Sequence, residues 1–98
     1  MIDDVPKQYM TVRVPQGVAD VPIAVRSSRF ADAVLRAEPG DLTAMGVQVF
    51  PHGQAPARVC VALRVSDAVM VQLAEARRGA KRIGQRFSIA SLATRILS

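Results

Sequence analysis

The stretch VCVALRVSD, residues 59–67, constrains this chain more than any other, because strand alternation runs into a helix start with no turn between them. Val59, Val61, Leu63 and Val65 fall on one face, and Cys60, Ala62 and Arg64 on the other, with Arg58 continuing that second face. Ser66 and Asp67 are residue types that cap helix N-termini, and the positions after them carry helical spacing. A lone strand with two unpaired edges does not fold by itself. The chain must therefore find a second strand, in itself or in another copy.

Val69, Met70, Leu73 and Ala76 share a side of the helix expected over residues 67–78, with Gly79 closing it and Arg77 and Arg78 near its C-terminal end, where the helix dipole favours cations. GAKRIGQR, residues 79–86, reads as a basic connection. Ser88 then caps a final helix with Ile89, Leu92, Ala93, Ile96 and Leu97 at i, i+3, i+4, i+7 and i+8, the cleanest amphipathic pattern in the chain.

The N-terminal part is less regular. YMTVRVP, residues 9–15, alternates Met10, Val12 and Val14 against Tyr9, Thr11 and Arg13, and predicts a half-buried strand. VPIAV, residues 21–25, predicts a short edge strand, since Pro22 cannot donate to a ladder. Ser27 or Ser28 caps a helix over residues 29–38 that Pro39 and Gly40 stop, residues 46–50 suggest another strand, and PHGQAP, residues 51–56, is a turn-rich linker. MTVRVP echoes VALRVS, and RFADAVLRA loosely echoes RFSIASLATRIL. A duplicated unit would supply both strands of a ribbon from one chain, but Pro15, Gly17 and Pro22 argue against a first helix in the N-terminal copy, so the echo reads as chance.

Charge is distributed unevenly. Residues 58–98 carry eight basic side chains against Asp67 and Glu75, whereas residues 1–57 carry five basic against six acidic ones. Concentrated positive charge points to an anionic partner for the C-terminal part. One histidine, His52, beside Pro51 and Gly53, and one cysteine, Cys60, leave no metal cluster, activated nucleophile or general base to assemble, and no glycine-rich phosphate loop is present. The chain is read as a non-enzyme without cofactor. No apolar run approaches the about 20 residues that span a bilayer, and the opening MIDD is acidic, so no membrane partner is expected and the cytoplasm is the expected compartment.

The order strand, helix, connection, helix over residues 58–98 resembles the ribbon-helix-helix family of DNA-binding proteins, on VCVALRVSD as ribbon and cap, AVMVQLAEARR as first helix and RFSIASLATRIL as second. The connection of residues 79–87 is longer than that family's compact turn. The resemblance implies an α+β fold in which two chains pair their strands into an antiparallel ribbon that enters the major groove. Residues 58–98 would then be the dimerisation and DNA-binding unit of an intertwined homodimer, and residues 1–57 an accessory β/α segment free to hold a protein partner. Arg58, Cys60, Ala62 and Arg64 would face the bases of double-stranded DNA, with Arg64 the strong reader of guanine. Ser88 and the amides after it would hold a phosphate, and Arg77, Arg78, Lys81, Arg82 and Arg86 would meet the backbone. Repressors, antitoxins and accessory factors for plasmid transfer or partition share that fold. The rival expectation is a non-enzymatic homodimeric protein-interaction or inhibitor module, in which the arginine-rich surface is incidental.

Overall fold

A computed structural model describes residues 8–47 and 59–97. It is a small α+β protein in the order β1 (Gln8–Val14), α1 (Gln16–Ala19), α2 (Ile23–Arg36), α3 (Pro39–Gly46), β2 (Val59–Val65), α4 (Asp67–Arg82) and α5 (Ile89–Leu97). The linker at residues 51–56, with His52 and Arg58, lies outside the described residues, as do residues 48–50 of the expected third strand.

Both strands form where alternation predicts them, and each is the other's partner. β1 and β2 pair antiparallel, with Gln8 opposite Val65, Thr11 opposite Ala62 and Val14 opposite Val59. The strand expected to need a twin thus pairs within its own chain. Val12, Val14, Leu63 and Val65 point into the core, while Tyr9, Thr11, Arg13, Cys60 and Arg64 are exposed. The core is one cluster in which Val12, Val14, Phe30, Val34 and Leu42 pack with Leu63, Val65, Val69, Leu73, Leu92 and Leu97. Residues from both sides of the linker contribute to this one cluster.

Four local expectations are corrected. VPIAV is no strand: Pro22, at φ −57°, is the N-cap of α2, and Val21, Ile23 and Val25 are the approach to it and its first turn. Three alternating residues fit a helix start as well as a strand. Ser27 and Ser28, expected as caps, sit inside α2. Pro39 opens α3 rather than merely ending α2, because a proline at the first helical position gives up only an amide that has no helical partner anyway. α3 then ends in Gly46, and Val47 makes a single bridge to Phe87. Gly79 does not stop α4, which runs on to Arg82 and turns at Gly84, whose φ of +72° lies in the left-handed region that glycine adopts without strain. The loop between α4 and α5 shortens to residues 83–88.

Gly79 is inside α4 because of what faces it. A Cβ there would come within 2.8 Å of Thr43 Oγ1 on α3, and that hydroxyl is already fixed by donation toward Ala76 O at 2.8 Å and Pro39 O at 3.0 Å. Gly46 is tighter, since a Cβ would fall 2.1 Å from Cε1 of Phe87. Missing side chains at these two positions let α3 lie against α4 and the approach to α5. Ser66 caps α4 as expected, its hydroxyl accepting from Val69 N at 3.3 Å.

The register gives the ribbon an approximate two-fold axis. MTVRVP and VALRVS run antiparallel with Thr11 opposite Ala62, the two positions that correspond in the echo, so Arg13 and Arg64 occupy equivalent places at opposite ends. Packing follows the same relation, for α2 lies on β2, α5 lies on β1, and the two helices contact each other. α1, four residues long and ended before Pro22, follows β1 along the chain as α4 follows β2. α3 has no counterpart and packs on α4 and α5. The echo thus has a geometric counterpart in the fold.

Candidate nucleic-acid interface

The outward face of the ribbon carries Tyr9, Thr11 and Arg13 from β1 and Cys60, Ala62 and Arg64 from β2, in the pairs Tyr9–Arg64, Thr11–Ala62 and Arg13–Cys60. All are exposed except Ala62, which is half-buried. The Arg64 guanidinium lies 5.8 Å from the centroid of the Tyr9 ring, a cation–π contact that orients it across the ribbon. Arg13 lies opposite Cys60, four residues along β2 from Arg64, so the two arginines stand about 13 Å apart along the strands. Cys60 and Ala62 contribute little polar chemistry between them.

The far edge of β2 is held by α2. Arg26, 7% exposed, sends Nε and Nη2 to Ala62 O at 3.2 and 2.8 Å, and its Nη1 to Val21 O. Ser27 Oγ accepts from Arg64 N at 2.9 Å. Groups that an edge strand leaves unpaired are thereby satisfied, and the backbone that carries Arg64 is fixed from both sides. On the outer side of this joint, an open groove of about 380 Å³ runs between α2 and Arg64, with Asp32 and Leu35 on its wall.

The remaining residues expected from the sequence form a second group. Arg77 and Arg78 are exposed on α4, Arg78 with Nη2 2.5 Å from Glu75 Oε1, and Lys81 and Arg82 are exposed in its last turn. Arg86 is exposed in the loop that leads into α5. Ser88 is half-buried; its hydroxyl accepts from Ser91 N at 3.2 Å, and its amide donates to Gly46 O at 2.8 Å. Its oxygen therefore caps α5, as expected, and its own amide is already engaged.

Sequence reasoning left out Tyr9, Thr11 and Arg13 as ribbon residues, although their alternation was plain and MTVRVP was the signal that placed them. Arg26 and Ser27 carried no signal, because a helix start gives no sign of which strand edge it meets. Among the described residues no cluster of histidine, cysteine or carboxylate side chains has the makings of a metal site, and no helix is long and apolar enough to cross a membrane. No family model, curated protein or solved structure matches the chain.

Proposed function

We propose that this chain is a sequence-specific DNA-binding protein of ribbon-helix-helix type that supplies both strands of its ribbon itself and presents their outward face to the major groove. One observation carries the reading: a two-stranded antiparallel ribbon, backed by helices on one face, exposes on the other two arginines related by an approximate two-fold axis. An isolated two-stranded ribbon has the dimensions that the major groove admits. Arg13 and Arg64 each have the fork that binds guanine O6 and N7, and their spacing of about 13 Å corresponds to about four base steps of 3.4 Å. Thr11 and Tyr9 add polar contacts beside them, and the basic group on α4 and the following loop is suited to backbone phosphates. Because the ribbon closes within one chain, the binding unit in this reading is the single chain rather than the intertwined homodimer that the sequence suggested. Repressor, antitoxin and plasmid-accessory roles are all compatible with such a unit.

Cys60 and Ala62, which bring little polarity to the outward face of β2, support a second reading as a protein-interaction module. Salt separates the two. Duplexes enriched from a random pool by the intact protein, measured by fluorescence anisotropy at two salt concentrations, should lose affinity steeply as salt rises. Arg64→Ala and Arg13→Ala should each cost about 1–3 kcal/mol on the enriched duplex and little on scrambled DNA. Equal losses on both duplexes would show that the ribbon does not read sequence, and failure to bind any duplex at low salt would favour the interaction module.

A further inference from the structure

The approximate two-fold axis of the ribbon exchanges Arg13 with Arg64 and Thr11 with Ala62, and it exchanges Tyr9 with Cys60. The two arginines therefore occupy equivalent places on the ribbon and have unlike neighbours. Arg64 stands opposite Tyr9, and its Cζ lies over the ring, 5.8 Å from the centroid. Arg13 stands opposite Cys60, which has no ring to offer. The strand edges differ in the same sense. On β2 the Arg64 amide donates to Ser27 Oγ at 2.9 Å, and Ala62 O accepts from Arg26. On β1 the equivalent groups, Arg13 N and Thr11 O, are turned away from β2 by the alternation of the ladder and have no hydrogen-bond partner among the described residues. Asp32, the carboxylate on the groove wall beside Arg64, lies 3.6 Å from Arg36 Nη2 on its own helix. Among the described residues, what holds the Arg64 guanidinium is thus a ring and not an ion pair.

We propose that Tyr9 positions Arg64 and so makes it the stringent base reader of the ribbon, while Arg13, with neither ring nor edge clamp, reads its half of the site tolerantly. The proposal rests on the DNA-reading ribbon above and deepens it by naming the residue that sets specificity. A ring packed on the flat face of a guanidinium leaves the in-plane N–H fork free for guanine O6 and N7. A long side chain held in this way has already given up rotamer freedom that an unheld one loses only on binding. The advantage counts only where the fork meets guanine, so it acts on discrimination between bases more than on overall affinity. At an exposed position such a contact is worth about two- to fivefold. The two halves of the preferred site are therefore specified unequally, by about that factor, although the two readers are related by the axis.

Fluorescence anisotropy on a duplex enriched from a random pool, with each base pair then changed in turn, tests this. Arg64→Ala and Arg13→Ala assign the two guanines, each variant flattening the preference at its own position. In the parent, preference at the Arg64 position should exceed that at the Arg13 position by about two- to fivefold. Tyr9→Leu should remove this excess and leave the Arg13 position and the salt slope unchanged, since no phosphate contact is lost. Tyr9→Phe keeps the ring and should keep the excess. Cys60→Tyr places a ring beside Arg13 and should raise the preference at its position by a like factor, a gain that a merely structural role for Tyr9 does not produce. Tyr9 and Cys60 are both exposed, and circular dichroism of each variant should match that of the parent. Equal preference at both positions in the parent, a Tyr9→Leu variant that weakens both alike, a Tyr9→Phe variant as weak as Tyr9→Leu, or an unchanged Arg13 position in Cys60→Tyr would overturn the positioning role while leaving the DNA-reading ribbon standing. A pool that yields no enriched duplex, or arginine variants that flatten no position, would overturn both.

Discussion

Replacing Arg26 by methionine removes the guanidinium that holds the outer edge of β2 while keeping most of the apolar stem, so little cavity is left behind. The wild-type side chain satisfies two carbonyls, Ala62 O through Nε and Nη2 and Val21 O through Nη1. Losing a partner costs a fully buried carbonyl about 1–3 kcal/mol, and Ala62 and Val21 are half-buried, so the lower half of that range applies to each. Against this stands relief from burying a cation that pairs with no carboxylate among the described residues. The net expectation is a destabilisation of about 2 kcal/mol, a large part of the 5–15 kcal/mol typical of a whole domain. For a domain of this size that lowers Tm by about 8–16 °C. Thermal and urea unfolding followed by circular dichroism measure it. Binding to the enriched duplex should also weaken in Arg26→Met at a temperature where the variant is folded, because Ala62 and Arg64 share the edge that Arg26 fixes. A change in stability below about 0.5 kcal/mol, or a gain, would refute the claim that this clamp holds the ribbon to α2.

Glycine in a helix interior ordinarily costs about 1 kcal/mol relative to alanine, yet Gly79→Ala should destabilise by about 1–2 kcal/mol, because the new Cβ meets the fixed Thr43 hydroxyl; adding Thr43→Ala should recover part of the loss, and a stabilised single variant would contradict the α3–α4 packing. Gly46→Ala should cost more, about 3 kcal/mol, since the Phe87 ring would have to leave its site, and near-ultraviolet and chemical unfolding measurements would register both. Residues 58–98 expressed alone lack Val12, Val14, Phe30, Val34 and Leu42 from the shared core, and their circular dichroism should be that of an unfolded chain; a folded fragment would mean that β2, α4 and α5 complete a core without β1 and α2.

Much of the fold was legible because its elements follow simple periods. β1 and β2 alternate, Ser66 and Ser88 cap, and α5 carries an uninterrupted apolar stripe, so local sequence suffices for them. What was not legible depended on distant residues. Gly79 reads as a helix stop until Thr43 is placed against it, and Pro39 reads as an end until α3 is seen to begin there. The ribbon's outward face was half visible, since Cys60, Ala62 and Arg64 follow from β2 alone. Tyr9, Thr11 and Arg13 belong to that face only because β1 pairs with β2 across more than forty residues of chain, a non-local fact that the echo of MTVRVP in VALRVS carried. The shortened α1 hid it, because Pro15, Gly17 and Pro22 remove most of the helix that would have completed the repeat.

The central claim is that one chain makes the whole ribbon, and the mass of the protein–DNA complex tests it most directly. Native mass spectrometry of the enriched duplex with the 98-residue chain, at concentrations just above the midpoint of binding, should show a single 10.5 kDa chain on each duplex. Arg13→Ala with Arg64→Ala should remove that species while leaving the free chain folded. A complex that forms only with two chains per duplex, with no one-chain species at any ratio of protein to DNA, would contradict the account and return the ribbon to an association between copies.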